Sequence, residues 1–154
     1  DWSSDVCSSD LPLMENDINT RINAFYALRD GRLPAGKMDV TSEDGTASLD
    51  IYTMLTINHA DQSNLVGLFQ AYNVENILWQ EYISIDTDKE LVPKENYIGN
   101  SGSFGTAIIL KTQNIALPDD SSVYLRFDLF SGNKLLDSKM SSFYSVNKHI
   151  NSNL

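Results

Sequence analysis

The sequence predicts an all-β chain: an antiparallel β-sandwich of immunoglobulin-like or jelly-roll type, with about seven to eight short strands and room for one short helix. Three observations predict it. Residues 47–58 alternate without a break, with Ala47, Leu49, Ile51, Thr53, Leu55 and Ile57 on one side and Ser48, Asp50, Tyr52, Met54, Thr56 and Asn58 on the other. Successive side chains of a strand point to opposite faces, so this pattern is that of a half-buried strand. Near the C-terminus, Val123, Leu125, Phe127 and Leu129 alternate with Tyr124, Arg126 and Asp128. A Ser131-Gly132-Asn133-Lys134 turn follows, and Leu136, Met140 and Tyr144 return on the second arm of a hairpin. Finally, turn signals separate short apolar runs along the whole chain.

Taken in order, residues 19–28 fit two periods. Ile18, Ile22 and Tyr26 sit at helical spacing, while Ile22, Ala24, Tyr26 and Leu28 alternate as a strand does. Asp30-Gly31 marks a turn, 33–36 a loop and 37–42 a short strand. Glu43-Asp44-Gly45 is a hairpin signal. After the long alternation, 58–64 is a polar loop. Residues 65–72 form a strand or a helical turn, with Val66, Leu68 and Tyr72 on one side. Residues 77–85 form a strand that turns Trp79, Ile83 and Ile85 one way and Tyr82 the other. A charged connection at 86–96, a flexible loop at 100–103, a β-branched run at 106–112 and a turn at 117–120 complete the series.

The first eleven residues, Asp1-Trp2-Ser3-Ser4-Asp5-Val6-Cys7-Ser8-Ser9-Asp10-Leu11, stand apart. They resemble, residue for residue, one translated frame of a common short-read sequencing adapter. The resemblance implies a disordered, non-native tail at 1–11, and the strand pattern leaves a single sandwich domain at 12–148 and a frayed end at 149–154. Without the tail the one cysteine, Cys7, is lost, and disulfides and thiolate metal sites go with it. Three acids also leave, so eighteen Asp and Glu face eleven Lys and Arg and the net charge of −10 becomes −7. Location then depends on the true start: cytoplasmic or virion if Met14 begins the protein, secreted if the chain is truncated.

The charge pattern excludes two classes of partner. The eleven bases are scattered, with no stripe to follow a phosphate backbone, so nucleic acid is not expected. No apolar run approaches the roughly 18 residues of a membrane span, so no membrane insertion is expected.

The chemistry-bearing residues form no recognisable constellation. His59 and His149 have no spacing to a nucleophile, and Gly99, Gly102 and Gly105 match neither a dinucleotide nor a phosphate loop. Asp86, Asp88 and Glu90 place three carboxylates at alternate positions, a set that could contribute oxygens to Ca²⁺. The full loop pattern fails, with Leu91 at its sixth place and Tyr97 at its twelfth. Among the aromatics, Tyr52 lies on the polar side of the longest alternation, and either Trp79 or Tyr82 must face outward. Exposed rings of this kind stack on a sugar or anchor a protein. The expectation is a non-catalytic module, without cofactor, for protein binding or self-assembly. A carbohydrate-binding module using Tyr52, Trp79 and Tyr82 is the alternative, and an enzyme without a recognisable motif the third.

Overall fold

The computed structural model describes residues 18–28, 37–40, 45–85, 87, 92–112, 115–117 and 120–147. These form ten strands: β1 (Arg21–Leu28), β2 (Lys37–Val40), β3 (Thr46–Ala47), β4 (Asp50–Ile57), β5 (Leu65–Tyr72), β6 (Ile77–Ile85), β7 (Phe104–Lys111), β8 (Ile115–Ala116), β9 (Ser121–Ser131) and β10 (Lys134–Asn147). The helical content among them is two 3-10 turns, His59–Asp61 and Lys94–Asn96. No helix of the described residues is long and apolar enough to cross a membrane.

The strands build a three-stranded sheet of order β1-β4-β7, a five-stranded sheet of order β2-β10-β9-β5-β6 and a small β3-β8 pair. All pairings are antiparallel except β2 with β10. The first, second and fifth long strands on one side, with β5-β9-β10 as the heart of the other, is the immunoglobulin-like order. A jelly roll would divide its strands as two Greek keys.

The core lies between the two larger sheets. Phe69 of β5 and Phe127 of β9 stack as near neighbours, 4.1 Å apart and almost parallel. Phe25 reaches across from β1, 6.0 Å from Phe69 and 5.8 Å from Phe127. Ile51, Leu55 and Ile57 of β4, Leu65 of β5 and Leu125 and Leu129 of β9 complete the dry layer. Burying each such side chain stabilises the fold by roughly 1.5–3 kcal/mol.

Two departures from regular alternation, in β1 and β10, and one interruption of the ladder shape this layer. In β1, Ile22 pairs with Leu55 and Ala24 with Met54, so Asn23 is an inserted bulge residue. The insertion turns Phe25 and Ala27 inward with Ile22, which explains the mixed periodicity of 19–28. The alternation at 47–58 holds on its inner side, where Ala47, Leu49, Ile51, Thr53, Leu55 and Ile57 are all buried, although the strand ladder is interrupted at Ser48 and Leu49, between β3 and β4. There the Leu49 N–H donates to Thr112 Oγ1 and the Thr112 N–H donates to the Leu49 carbonyl, which keeps a buried backbone satisfied. In β10 the register shifts between Leu135 and Asp137. Leu136 therefore packs on the core while Met140 and Tyr144 face solvent, so the three do not share a face as their even spacing implies.

Candidate binding face

Directly opposed residues of an antiparallel pair share a face of the sheet, so the register places every outward side chain. Across β5, Tyr72 is flanked by Tyr124 and Ile77, Gln70 by Arg126 and Gln80, and Leu68 by Asp128 and Tyr82. β10 extends these rows with Ser142, Met140 and Ser138. Val66, Phe130, Ser84 and Leu135 form a further row.

The outer positions of β5, β6, β9 and β10 thus carry only two charged groups, Arg126 and Asp128, on a chain that is 21% charged. These two are paired: Arg126 Nε donates to Asp128 Oδ1 at 2.9 Å, and Ser138 Oγ donates to the same oxygen at 2.5 Å. Asp128 is buried and Arg126 half-exposed. The hydrogen bond to Asp128, and then its negative charge, hold the guanidinium above its ordinary pKa, with a smaller contribution from Tyr72. The pair neutralises itself, so the outer positions of these four strands carry no net charge.

Its apolar content is exposed. Tyr82 retains 64% of its accessible surface, Ile77 61% and Met140 59%, and Leu135 and Tyr144 are also exposed. Tyr72 and Tyr124 stack with centroids 5.6 Å apart. Each covers one side of the other's ring, so the pair offers ring edges and hydroxyls to a ligand. Tyr144 is tethered by its hydroxyl, which donates to the Asp120 carbonyl at 2.8 Å.

At one end of the face, the β5–β6 turn closes a shallow pocket of about 400 Å³. Gln70, Tyr72, Arg126 and Ile77 form its floor and sides, and Asn73, Val74, Glu75 and Asn76 its rim. The turn is held by Asn73, whose Oδ1 accepts from the N–H groups of Glu75 and Asn76.

The aromatics singled out from sequence lie on separate surfaces. Tyr82 belongs to the outer face. Trp79, of opposite parity on β6, is half-buried against the core. Tyr52 lies on the outer side of the three-stranded sheet, stacked on Tyr26 with centroids 5.3 Å apart. No ligand the size of one sugar ring could touch all three. Asp86, Asp88 and Glu90 lie outside the described residues. Among the described residues no three His, Cys, Asp or Glu side chains are grouped to hold a metal ion. The residues that sequence reasoning did not select are Gln70, Tyr72, Tyr124, Arg126 and Met140. Their outward parity on β9 was readable from the alternation; their convergence required the β5–β9 and β9–β10 registers.

Neither a family model nor a curated protein matches this chain. Among solved structures it is similar to a putative beta-galactosidase from Bacteroides fragilis, at 13% identity and a TM-score of 0.50, over 80% of this chain and 17% of that one. A beta-glucuronidase from glycoside hydrolase family 2 follows at 12% identity and a TM-score of 0.47, over 80% of this chain and 12% of that one. At such identity the first likeness shows the fold alone. The chain has an all-β sandwich fold and spans about a sixth of the length of the first of these proteins.

Proposed function

We propose that this domain is a non-catalytic module that docks protein through the outer face of its five-stranded sheet, with a second copy of itself as the first partner to test. One observation carries the reading. The outer positions of β5, β6, β9 and β10 hold Tyr72, Tyr82, Tyr124, Tyr144, Met140 and Arg126, with charge confined to one internal pair. Depletion of charge with enrichment of Tyr, Met and Arg is the compositional mark of an interface centre. A sheet face meant to stay in water carries alternating charged side chains instead. The uncharged face also suits self-association of an acidic chain, because two copies meeting there bring their least repulsive surfaces together. That a similar fold occurs inside a much longer chain supports a module role over a free-standing enzyme.

The test is sedimentation equilibrium over a wide concentration range, on the parent chain and on Met140→Lys and Tyr82→Lys. Association of the parent, weakened about tenfold or more by either variant, is expected. Tyr52→Lys on the other sheet should leave it unchanged. A strictly monomeric parent, or equal effects from all three variants, would exclude self-docking through this face.

A further inference from the structure

We propose that the pocket under the β5–β6 turn is a binding site for a neutral saccharide, one pyranose ring seated between Arg126, Gln70 and the Asn73–Asn76 turn. The inference does not rest on the docking reading: it concerns the turn end of the face, where Tyr72 and Arg126 belong to both surfaces and the 73–76 turn to the pocket alone.

Unspent hydrogen-bonding capacity converges there. Arg126 uses only Nε on Asp128, and its two terminal amino groups carry no partner among the described residues. Gln70 Nε2 donates to Gln80 Oε1 at 2.8 Å, which leaves Gln70 Oε1 free to accept and Gln80 Nε2 free to donate. Asn73 uses its carbonyl oxygen on the turn, leaving its amide nitrogen to donate. Planar amide and guanidinium groups of this kind present donors and acceptors at the separation of adjacent hydroxyls. Ile77 and Val74, 61% and 90% exposed, supply apolar walls for the C–H face of a sugar. The volume falls within the small-molecule range of roughly 300–1,000 Å³.

The charge balance selects a neutral ligand. Asp128 already neutralises Arg126, Glu75 stands on the rim, and the chain as a whole carries −10. A phosphate or carboxylate entering would meet net repulsion. A cation would find one exposed carboxylate, too few oxygens to replace its water.

Backbone amide NMR of the full chain, titrated with methyl β-glucopyranoside, methyl β-galactopyranoside and methyl α-mannopyranoside, tests the site. At least one should shift the amides of residues 73–77 and 126 with a dissociation constant of about millimolar order. Gln70→Ala and Arg126→Lys should each weaken binding about fivefold to tenfold. Tyr82 pairs with Leu68 and does not line the pocket, so Tyr82→Lys should leave the titration unchanged while altering self-association, and the two readings fail separately. No shift with any of the three glycosides would overturn the proposal. So would shifts untouched by both pocket variants, or stronger shifts with inorganic phosphate, which would make this an anion site.

Discussion

Asp137 of β10 accepts a hydrogen bond from the backbone N–H of Ile22 in β1, at 2.8 Å between Oδ2 and the nitrogen. The contact joins the two sheets, and both residues stand at register shifts of their strands. A bulge frees a backbone N–H from its ladder, and a carboxylate at the facing bulge takes it up. Its other oxygen accepts from the N–H of Ser138 at 2.8 Å. Asp137→Ala should cost about 2 kcal/mol in urea unfolding, because a charge-assisted bond is lost and a part-buried donor is stranded. Asp137→Asn, which keeps one acceptor, should cost about half as much. A loss below about 0.5 kcal/mol for Ala would mean that the sheets are held without this link.

Thr53 is fully buried on the inner face of β4, and its hydroxyl has no hydrogen-bond partner among the described residues. An unpaired hydroxyl in an apolar layer is a net cost. Thr53→Val keeps the branched shape and removes that cost, so it should raise stability by about 1 kcal/mol. Thermal unfolding checks the sign, and a lower Tm would show that the hydroxyl is satisfied in solution.

Gly67 on β5 lies against the ring of Phe127, and a Cβ added there would overlap the ring edge. Phe127 cannot swing away freely, since Phe69 stacks on it and Phe25 packs against both rings. Gly67→Ala should therefore destabilise by about 1–3 kcal/mol, the usual cost of overpacking. An unchanged unfolding midpoint would mean that the aromatic layer has slack that the packing does not indicate.

The pair Arg126–Asp128 should respond asymmetrically to its two deletions. Arg126→Ala leaves a buried carboxylate with Ser138 as its remaining side-chain partner. Asp128→Asn leaves a half-exposed guanidinium that water can solvate. The first should cost about 2 kcal/mol and the second about 1, both below the figure for a fully buried pair because solvent screens Arg126. Finding the Asp128 variant the more damaging would reverse this account.

The adapter resemblance yields a simple check. We propose that residues 1–11 contribute nothing to the domain, so a chain beginning at Pro12 should melt within about 1 °C of the parent. A fall of several degrees would mean that the segment packs as real protein.

The longer strands and the split between inner and outer residues were legible wherever alternation ran unbroken. The two-residue strands β3 and β8, which bring the expected seven or eight to ten, were not. Residues 123–129 and 77–85 read correctly because a strand's two-residue period is a local property of the chain. Reading failed at Asn23 and Leu136, where one inserted residue reverses the parity of all that follows. For Tyr52, Trp79 and Tyr82 parity was legible but mutual position was not, and the structure sets the three on separate surfaces.

The sequence by itself determined an all-β chain, the hairpin turn at 131–134 and the apolar identity of its core. The tertiary structure decided which strands became neighbours, and so placed Tyr72 beside Tyr124 and Gln70 beside Arg126, residues 52 and 56 positions apart. Strand pairing is set by contacts between segments distant in the chain, so no local pattern encodes it. A binding face assembled from four strands is therefore visible only once their registers are fixed.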